Sequence, residues 1–225
     1  MSDFYKGYGQ FYVSVDCVVF GINEGRLSVL LTRRAFAPEL GKWSLIGGFV
    51  KPTESLDEAA RRILHELTGL DNVYMQQVGA FGEIERDPGA RVIGVAYYAL
   101  INFDSCARRR VEEYNGAWVD LSELPELGFD HPLMMEKAME RLRARFVSEP
   151  VGLTLLPESF TLSQLQALFE TVLGKPMDKR NFRKRVTEAP CIEPTGEKDR
   201  VSSKRGAALY RFNPETYARD HKFKF

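Results

Sequence analysis

Residues 179–185 read Lys-Arg-Asn-Phe-Arg-Lys-Arg, five cations in seven positions. On a helix, Phe182 and Val186 are spaced i and i+4 and would share a core-facing stripe. That arrangement turns Arg180, Asn181 and Lys184 outward, with Lys179 and Arg183 flanking. Arginine meets guanine bidentately, asparagine meets adenine, and flanking cations meet phosphates. Such a face has the chemistry needed to read a DNA major groove. A second basic stretch, Thr195 to Gly206, carries Lys198, Arg200, Lys204 and Arg205. At the tip of a hairpin it would suit the sugar-phosphate backbone or the minor groove. A solvated charge run is the bland alternative for both. RNA is disfavoured, because no strand carries the stacked aromatics of an RNA-recognition sheet.

A second constellation spans residues 48–70, GFVKPTESLDEAARRILHELTGL. Ser55 with Glu58 forms a capping box and Gly69 is the expected stop, so a helix is predicted over about 55–67. The stretch resembles the Nudix box, G-x5-E-x7-R-E-U-x-E-E-x-G-U, where U is a bulky aliphatic. Gly48, Glu54, Arg62, Leu64, Glu66, Gly69 and Leu70 match at full spacing. The resemblance implies a fold that handles diphosphates linked to a second moiety. Its enzymes use Mg2+, held by the three glutamates of R-E-U-x-E-E, to neutralise the diphosphate. Those positions hold Ile63, Glu66 and Leu67 here. At about 100° per residue they share one side of the helix, which then merges with Leu56, Ala59, Ala60 and Leu64. Glu66 is left alone at its edge. Substrate phosphates, or Glu83, Glu85 or Asp87 in a later loop, are the remaining ways to complete a metal site. The expectation is a domain that binds its nucleotide without cleaving it, with no catalytic residue and no metal ligand assigned. Retained hydrolysis and a purely structural helix are the alternatives.

For a nucleoside diphosphate, Arg33, Arg34 and Lys51 are the nearby cations able to meet phosphates without metal. Phe36 and Trp43 offer aromatic faces for a purine. Gly48, Arg62 and Glu66 complete the expected ligand-binding set, and Arg62 pairs with Glu54 in the role the resemblance implies. Core packing for the two aromatics and a solvated strand end for the two arginines remain open.

The elements that must position these groups are legible in outline. Residues 10–20 and 27–33 read as a hairpin, and 43–50 as a short strand broken by Gly47-Gly48. Further strands are expected over 73–85 and 91–103. Asp130-His131-Pro132 opens a helix to about Phe146, with Leu133, Met134, Ala138, Met139 and Leu142 at helical spacing. Thr161 with Gln164 caps another helix, ended at Gly174-Lys175-Pro176. Asp178 caps the basic helix, and a hairpin from Glu193 to Arg211 follows. The order helix, turn, helix, hairpin is that of a winged helix-turn-helix. The fold class is therefore α+β, a Nudix α/β/α sandwich with a mixed sheet over residues 1–150, then a winged helix-turn-helix over 151–225.

The charge divides at the same place. The whole chain has 31 basic and 31 acidic residues, a net charge of zero. Residues 151–225 hold 14 Lys and Arg against 9 Asp and Glu, a balance of +5, which leaves −5 on residues 1–150. The neutral total thus argues against nucleic acid only for the first part. No apolar run reaches a membrane span and the start lacks the pattern of a secretory signal, so no membrane partner is expected. Cys17, Cys106 and Cys191 form no close pair, which fits reduced thiols in a cytoplasm.

A degenerate Nudix domain joined to a winged helix resembles the Nudix-related transcriptional regulators of NAD metabolism (NrtR). The segments FGEIERDPGARVIGVAYYAL and MDKRNFRKRV carry that likeness further. It implies a homodimeric bacterial repressor of NAD-biosynthesis genes on double-stranded, pseudo-palindromic operator DNA. ADP-ribose is then the effector, releasing DNA when bound, and no cofactor is required. Helix 132–146 is placed to pass on the change. Two alternatives stand beside this reading: an ADP-ribose hydrolase with a DNA-binding appendage, and a regulator tuned to another phosphorylated ligand.

Overall fold

A computed structural model describes residues 4, 6–23, 25–71, 73–101, 111–113, 115–200 and 206–225, without the side chains of Asn23 and Leu67. The β-branched and aromatic run near the start forms β1 (Tyr12–Asn23), which pairs antiparallel with β2 (Arg26–Arg33). Short strands β3 (Trp43–Ser44) and β4 (Ile46–Phe49) pair with β2 and β1 respectively. Helix α1 (Leu56–Thr68) follows, with both bonds of the Ser55–Glu58 capping box made and Gly69 left-handed at φ 67°. Strand β5 (Tyr74–Phe81) is shorter than the 73–85 expected, because residues 82–91 turn away as a loop. Strand β6 (Val92–Ile101) runs parallel to β1, and β7 (Gly116–Asp120) closes on β2. The sheet is thus mixed, in the order β3-β2-β1-β6-β5 with β4 and β7 off that path.

Strand alternation sends β1 side chains to two layers. Val15, Cys17 and Val19 pack with Ala59, Ala60, Ile63 and Leu64 of α1. Val18 and Phe20 face the opposite layer, with Met134, Met135, Ala138 and Leu142 of α2 (His131–Phe146). This is the expected α/β/α sandwich. One helix position differs: Leu133 is exposed and Met135 takes a place in the core.

The second part begins after a 3-10 turn, Pro150–Leu155. Strand β8 (Ser159–Thr161) leads into α3 (Leu162–Leu173), capped by Thr161 and Gln164 and ended by Gly174 at φ 67°. Helix α4 (Lys179–Thr187) has Asp178 as N-cap, accepting from the Asn181 N–H at 2.8 Å. Strand β10 (Ala207–Phe212) pairs with β8 on one side and β9 (Ile192–Asp199) on the other, in the order β8-β10-β9, giving a winged helix-turn-helix. A last helix, α5 (Pro214–Asp220), lies beyond the elements expected from the sequence and is capped by Asn213. The apolar core of the α2 layer continues through Phe146, Val151 and Leu153 to Phe160, Leu165, Phe169 and Phe182. Among the described residues, no helix is long and apolar enough to cross a membrane. Cys17 and Cys191 are buried free thiols, and Cys106 lies outside the described residues.

Candidate ligand cradle and nucleic-acid face

The loop into α1 is organised around one guanidinium. Arg62 Nε donates to Glu54 Oε2 at 2.7 Å, and its Nη2 donates to the second Glu54 oxygen and to the Phe49 carbonyl at 3.1 Å. Its Nη1 donates to Glu66 Oε2 at 3.0 Å, and Lys51 Nζ lies 4.0 Å from Glu66 Oε1. Glu54 also accepts the Lys51 backbone N–H at 2.8 Å. The Arg62 hydrogen bonds, helped by that N–H and opposed by partial burial, hold the Glu54 carboxyl down at about 2. Lys51, Arg62 and Glu66 are therefore brought together, with Lys51 and Glu66 exposed at the rim.

Among the described residues, the same helix face offers a metal ion little to bind. Ile63 is 3% exposed, and a Cβ added to Gly48 would meet its Cδ1 and Cγ1 at 3.3 Å. Position 67 is Leu, whose side chain lies outside the described residues. The one carboxylate left, Glu66, is engaged by Arg62. Glu83 and Glu85 are exposed, and Asp87 accepts the Gly89 N–H at 2.7 Å. Among the described residues no three His, Cys, Asp or Glu side chains gather as a metal site. An apolar side chain under Gly48 and a cation-bound glutamate do not fit Mg2+, which wants several hard oxygen ligands.

The other expected ligand residues form a separate group. Arg33 lies over the Trp43 ring at 4.7 Å and donates to the Gly41 carbonyl at 3.4 Å. Trp43 is half-buried against the core, so it serves packing on one side and the arginine on the other. Arg34 is held between Phe36 and Phe129, at 4.8 and 4.7 Å, with Nε donating to the Pro38 carbonyl at 2.8 Å. Phe36 remains 66% exposed. No hydrogen bond, ion pair or ring contact among the described residues links this group to Lys51, Arg62 and Glu66.

Sequence reasoning missed a buried polar cluster behind the sheet. Arg86, from the loop after β5, makes a bidentate pair with Asp130 at 2.8 and 2.7 Å and approaches Asp16 at 3.8 Å. Asp16 accepts from Ser14 at 3.1 Å and lies 3.6 Å from His131 Nε2. His131 Nδ1 accepts the Leu45 backbone N–H at 3.1 Å, which places the ring proton on Nε2, facing Asp16. Asp130 was legible only as a helix start. It makes no side-chain cap bond to α2, and both its oxygens accept from Arg86 instead. The available signal was Asp16, a lone carboxylate in the apolar run FYVSVDCVVF. It also accounts for Gly47, where a Cβ would come within 2.3 Å of Asp16 Oδ1.

On the second part, Phe182 and Val186 are 1% and 3% exposed, and they seat α4 on the core. Lys179, Arg180, Asn181, Arg183 and Lys184 are all exposed. Arg185, which sequence reasoning left out, is exposed on the same helix. The turn before α4 is held by Glu170, which accepts the Met177 N–H at 2.8 Å and the Gln166 side chain at 3.0 Å. These two bonds, against some desolvation, lower its carboxyl below the usual range. In the hairpin, Lys198 and Arg200 are exposed, whereas Lys204 and Arg205 lie outside the described residues. Helix α4 thus carries an exposed cationic face, while in the described part of the hairpin Lys198 and Arg200 alternate with Glu197 and Asp199.

Comparison with known proteins agrees with both halves. A NUDIX domain model matches residues 11–145, and a model of the NrtR DNA-binding winged helix domain matches residues 152–212. The ADPR responsive transcriptional repressor NtrR of Acinetobacter baylyi is 35% identical over 91% of this chain and 83% of its own length. Shewanella oneidensis NrtR complexed with a 27mer DNA superposes with a TM-score of 0.81 at 34% identity, covering 95% of this chain and 97% of its own. The Nudix domain of that protein complexed with ADP ribose gives 0.52 at 31% identity, over 61% of this chain and 92% of its own. An ADP-ribose pyrophosphatase of Methanocaldococcus jannaschii is 32% identical over 57% of this chain and 75% of its length.

Proposed function

Because the chain belongs to the NrtR family, a Nudix domain followed by an NrtR-type winged helix, we propose that it is an ADP-ribose-responsive transcriptional repressor. The Nudix half binds ADP-ribose or a close nucleoside diphosphate. Lys51 and Arg62 lie at the phosphates, and Arg33, Arg34, Phe36 and Trp43 line the remainder. The winged half holds double-stranded DNA, with Arg180 and Asn181 at base edges and Lys179, Arg183, Lys184 and the wing cations at phosphates. The division falls near residue 150. The working form is a cytoplasmic homodimer on a pseudo-palindrome with half-sites roughly 34–36 Å apart or a multiple of that. Genes of NAD biosynthesis are the targets.

The observation that carries this reading is Ile63, buried where a metal-binding carboxylate would stand, in a chain that also exposes a cationic recognition helix. A sensor must bind its signal without consuming it. The ligand then prefers the DNA-free arrangement, with a coupling of about 1–3 kcal/mol. Two measurements test the reading. Gel shift with and without ADP-ribose should show DNA released at saturating ligand. Protein incubated with ADP-ribose and Mg2+ should form no AMP at enzymic rates. The likeness to an ADP-ribose pyrophosphatase supports the competing reading of a hydrolase, and rapid AMP release would favour it.

A further inference from the structure

Residues 221–225, His-Lys-Phe-Lys-Phe, follow α5 and lie beyond the stretch matched by the winged helix model. Phe223 and Phe225 are 4% and 8% exposed, while Lys222 and Lys224 between them are exposed. The Phe225 ring lies 4.6 Å from Phe169 of α3 and 5.4 Å from Phe182, the core-facing residue of α4. Phe223 lies 4.9 Å from Phe225 and 6.3 Å from Phe169. Phe169 in turn meets Phe146, the last residue of α2, edge-on at 4.8 Å. The backbone makes the same connection, since the Phe225 N–H donates to the carbonyl of Val147, the C-cap of α2, at 2.8 Å. Upstream, Cys191 Sγ lies 3.7 Å from the Lys222 carbonyl.

This short segment therefore touches the underside of the basic helix and the end of the helix that comes from the Nudix half. At its other end, α2 is fixed to the loop after β5 by the Arg86–Asp130 pair. Helix α4 is only nine residues long and buries two of its side chains, Phe182 and Val186. Its tilt against the core is set largely by what Phe182 packs upon. Aromatic pairs are directional, so a ring that meets Phe182 constrains that angle as well as filling volume.

We propose that residues 221–225 are a clasp that orients the DNA-reading helix, with Phe225 as the positioning residue. The inference rests on the DNA-binding reading above. Base readout needs Arg180 and Asn181 placed to a fraction of an ångström, whereas phosphate contact by lysines tolerates a tilt. Loss of the clasp should therefore lower discrimination between sequences more than it lowers affinity for DNA as such.

The test uses the full chain and the duplex that wild-type protein selects from a randomised pool. Phe225→Ala, Phe225→Val and Phe225→Met are compared by fluorescence anisotropy on that duplex and on a shuffled one, and by calorimetry with ADP-ribose. Phe225→Ala should lose at least tenfold in preference for the selected duplex. Its affinity for shuffled DNA and for ADP-ribose should stay within about twofold. Phe225→Met, which fills volume without the ring's directionality, should regain only part of the preference, and Phe225→Val should fall between it and Phe225→Ala. Equal losses on both duplexes, or an unchanged preference, would overturn the clasp. If Phe225→Ala also loses ADP-ribose binding, the order of Phe225→Val and Phe225→Met decides in the same way. A wild-type chain that prefers no duplex overturns the DNA-binding reading and this inference with it.

Discussion

Ile63 of α1 sits directly beneath Gly48 of β4, so close that a Cβ on the glycine would touch its side chain at 3.3 Å. The isoleucine is part of the core formed with Val15, Cys17, Ala59 and Leu64. At the position where the Nudix box carries a glutamate, the side chain here serves packing. Ile63→Glu alone, or with Leu67→Glu, should place a carboxyl among these apolar groups without a buried cation to meet it. The expected cost for Ile63→Glu is about 3 kcal/mol, a fall in Tm of roughly 10 °C for a chain of this size. Thermal melting measures it, and hydrolysis of ADP-ribose should not return in either variant. An unchanged Tm would mean that the position is open to solvent or cation.

The Arg62–Glu54 pair gives a pH signature. Its carboxyl is held at about 2 when folded, well below the unfolded value of about 4.3. A depressed acid stabilises the fold above its unfolded pKa, and that contribution is lost as pH falls through the folded one. The contribution of Glu54 should therefore be complete above about pH 5 and decline between roughly pH 4.5 and 2. Urea melts of wild type and Glu54→Gln should differ at pH 6 and converge toward pH 2. A constant difference across that range would contradict the assignment.

The parts legible in the sequence are those fixed by local rules. Both capping boxes, the glycine stops at 69 and 174, and the Phe182–Val186 stripe are set within a few residues of chain, and the structure places them as read. What escaped depends on distant partners. Asp16, Arg86 and Asp130 meet from a strand, a loop and a helix start, and no spacing announces that meeting. Leu133 fits the helical stripe yet faces solvent, because Met135 fills the layer under the sheet. The aromatic tail at 223 and 225 alternates with lysines and carries no helical period, so its burial shows only once α3 and α4 are in place.

Among the described residues, Arg86 is the guanidinium paired with those buried carboxylates, with a side chain 3% exposed. Removing one member of such a group leaves the others desolvated and unpaired, which is worse than never having had the pair. Arg86→Met should therefore cost about 3–5 kcal/mol, read from the urea midpoint at unchanged m-value. Asp130→Asn in the Arg86→Met background should recover part of that loss by removing one uncompensated charge. A double variant less stable than the single one would show that Asp130 is held by something other than Arg86.

The two kinds of cation on the winged half should separate by what their loss changes. Arg180 lies on the exposed side of α4, opposite Phe182, where a groove-facing helix presents its base-reading groups. If it is bidentate to a guanine, Arg180→Ala should cost about 1–3 kcal/mol on the preferred duplex and relax the choice of base at one position. Lys198 is exposed on β9 near the end of the described strand, a placement that suits a phosphate contact. Lys198→Ala should weaken every sequence alike and flatten the slope of log affinity against log salt by roughly one unit. Titrations of both variants on matched and shuffled duplexes at several salt concentrations distinguish them. A uniform loss from Arg180→Ala would move that residue from base to phosphate contact. A sequence-dependent loss from Lys198→Ala would put the wing itself in a groove.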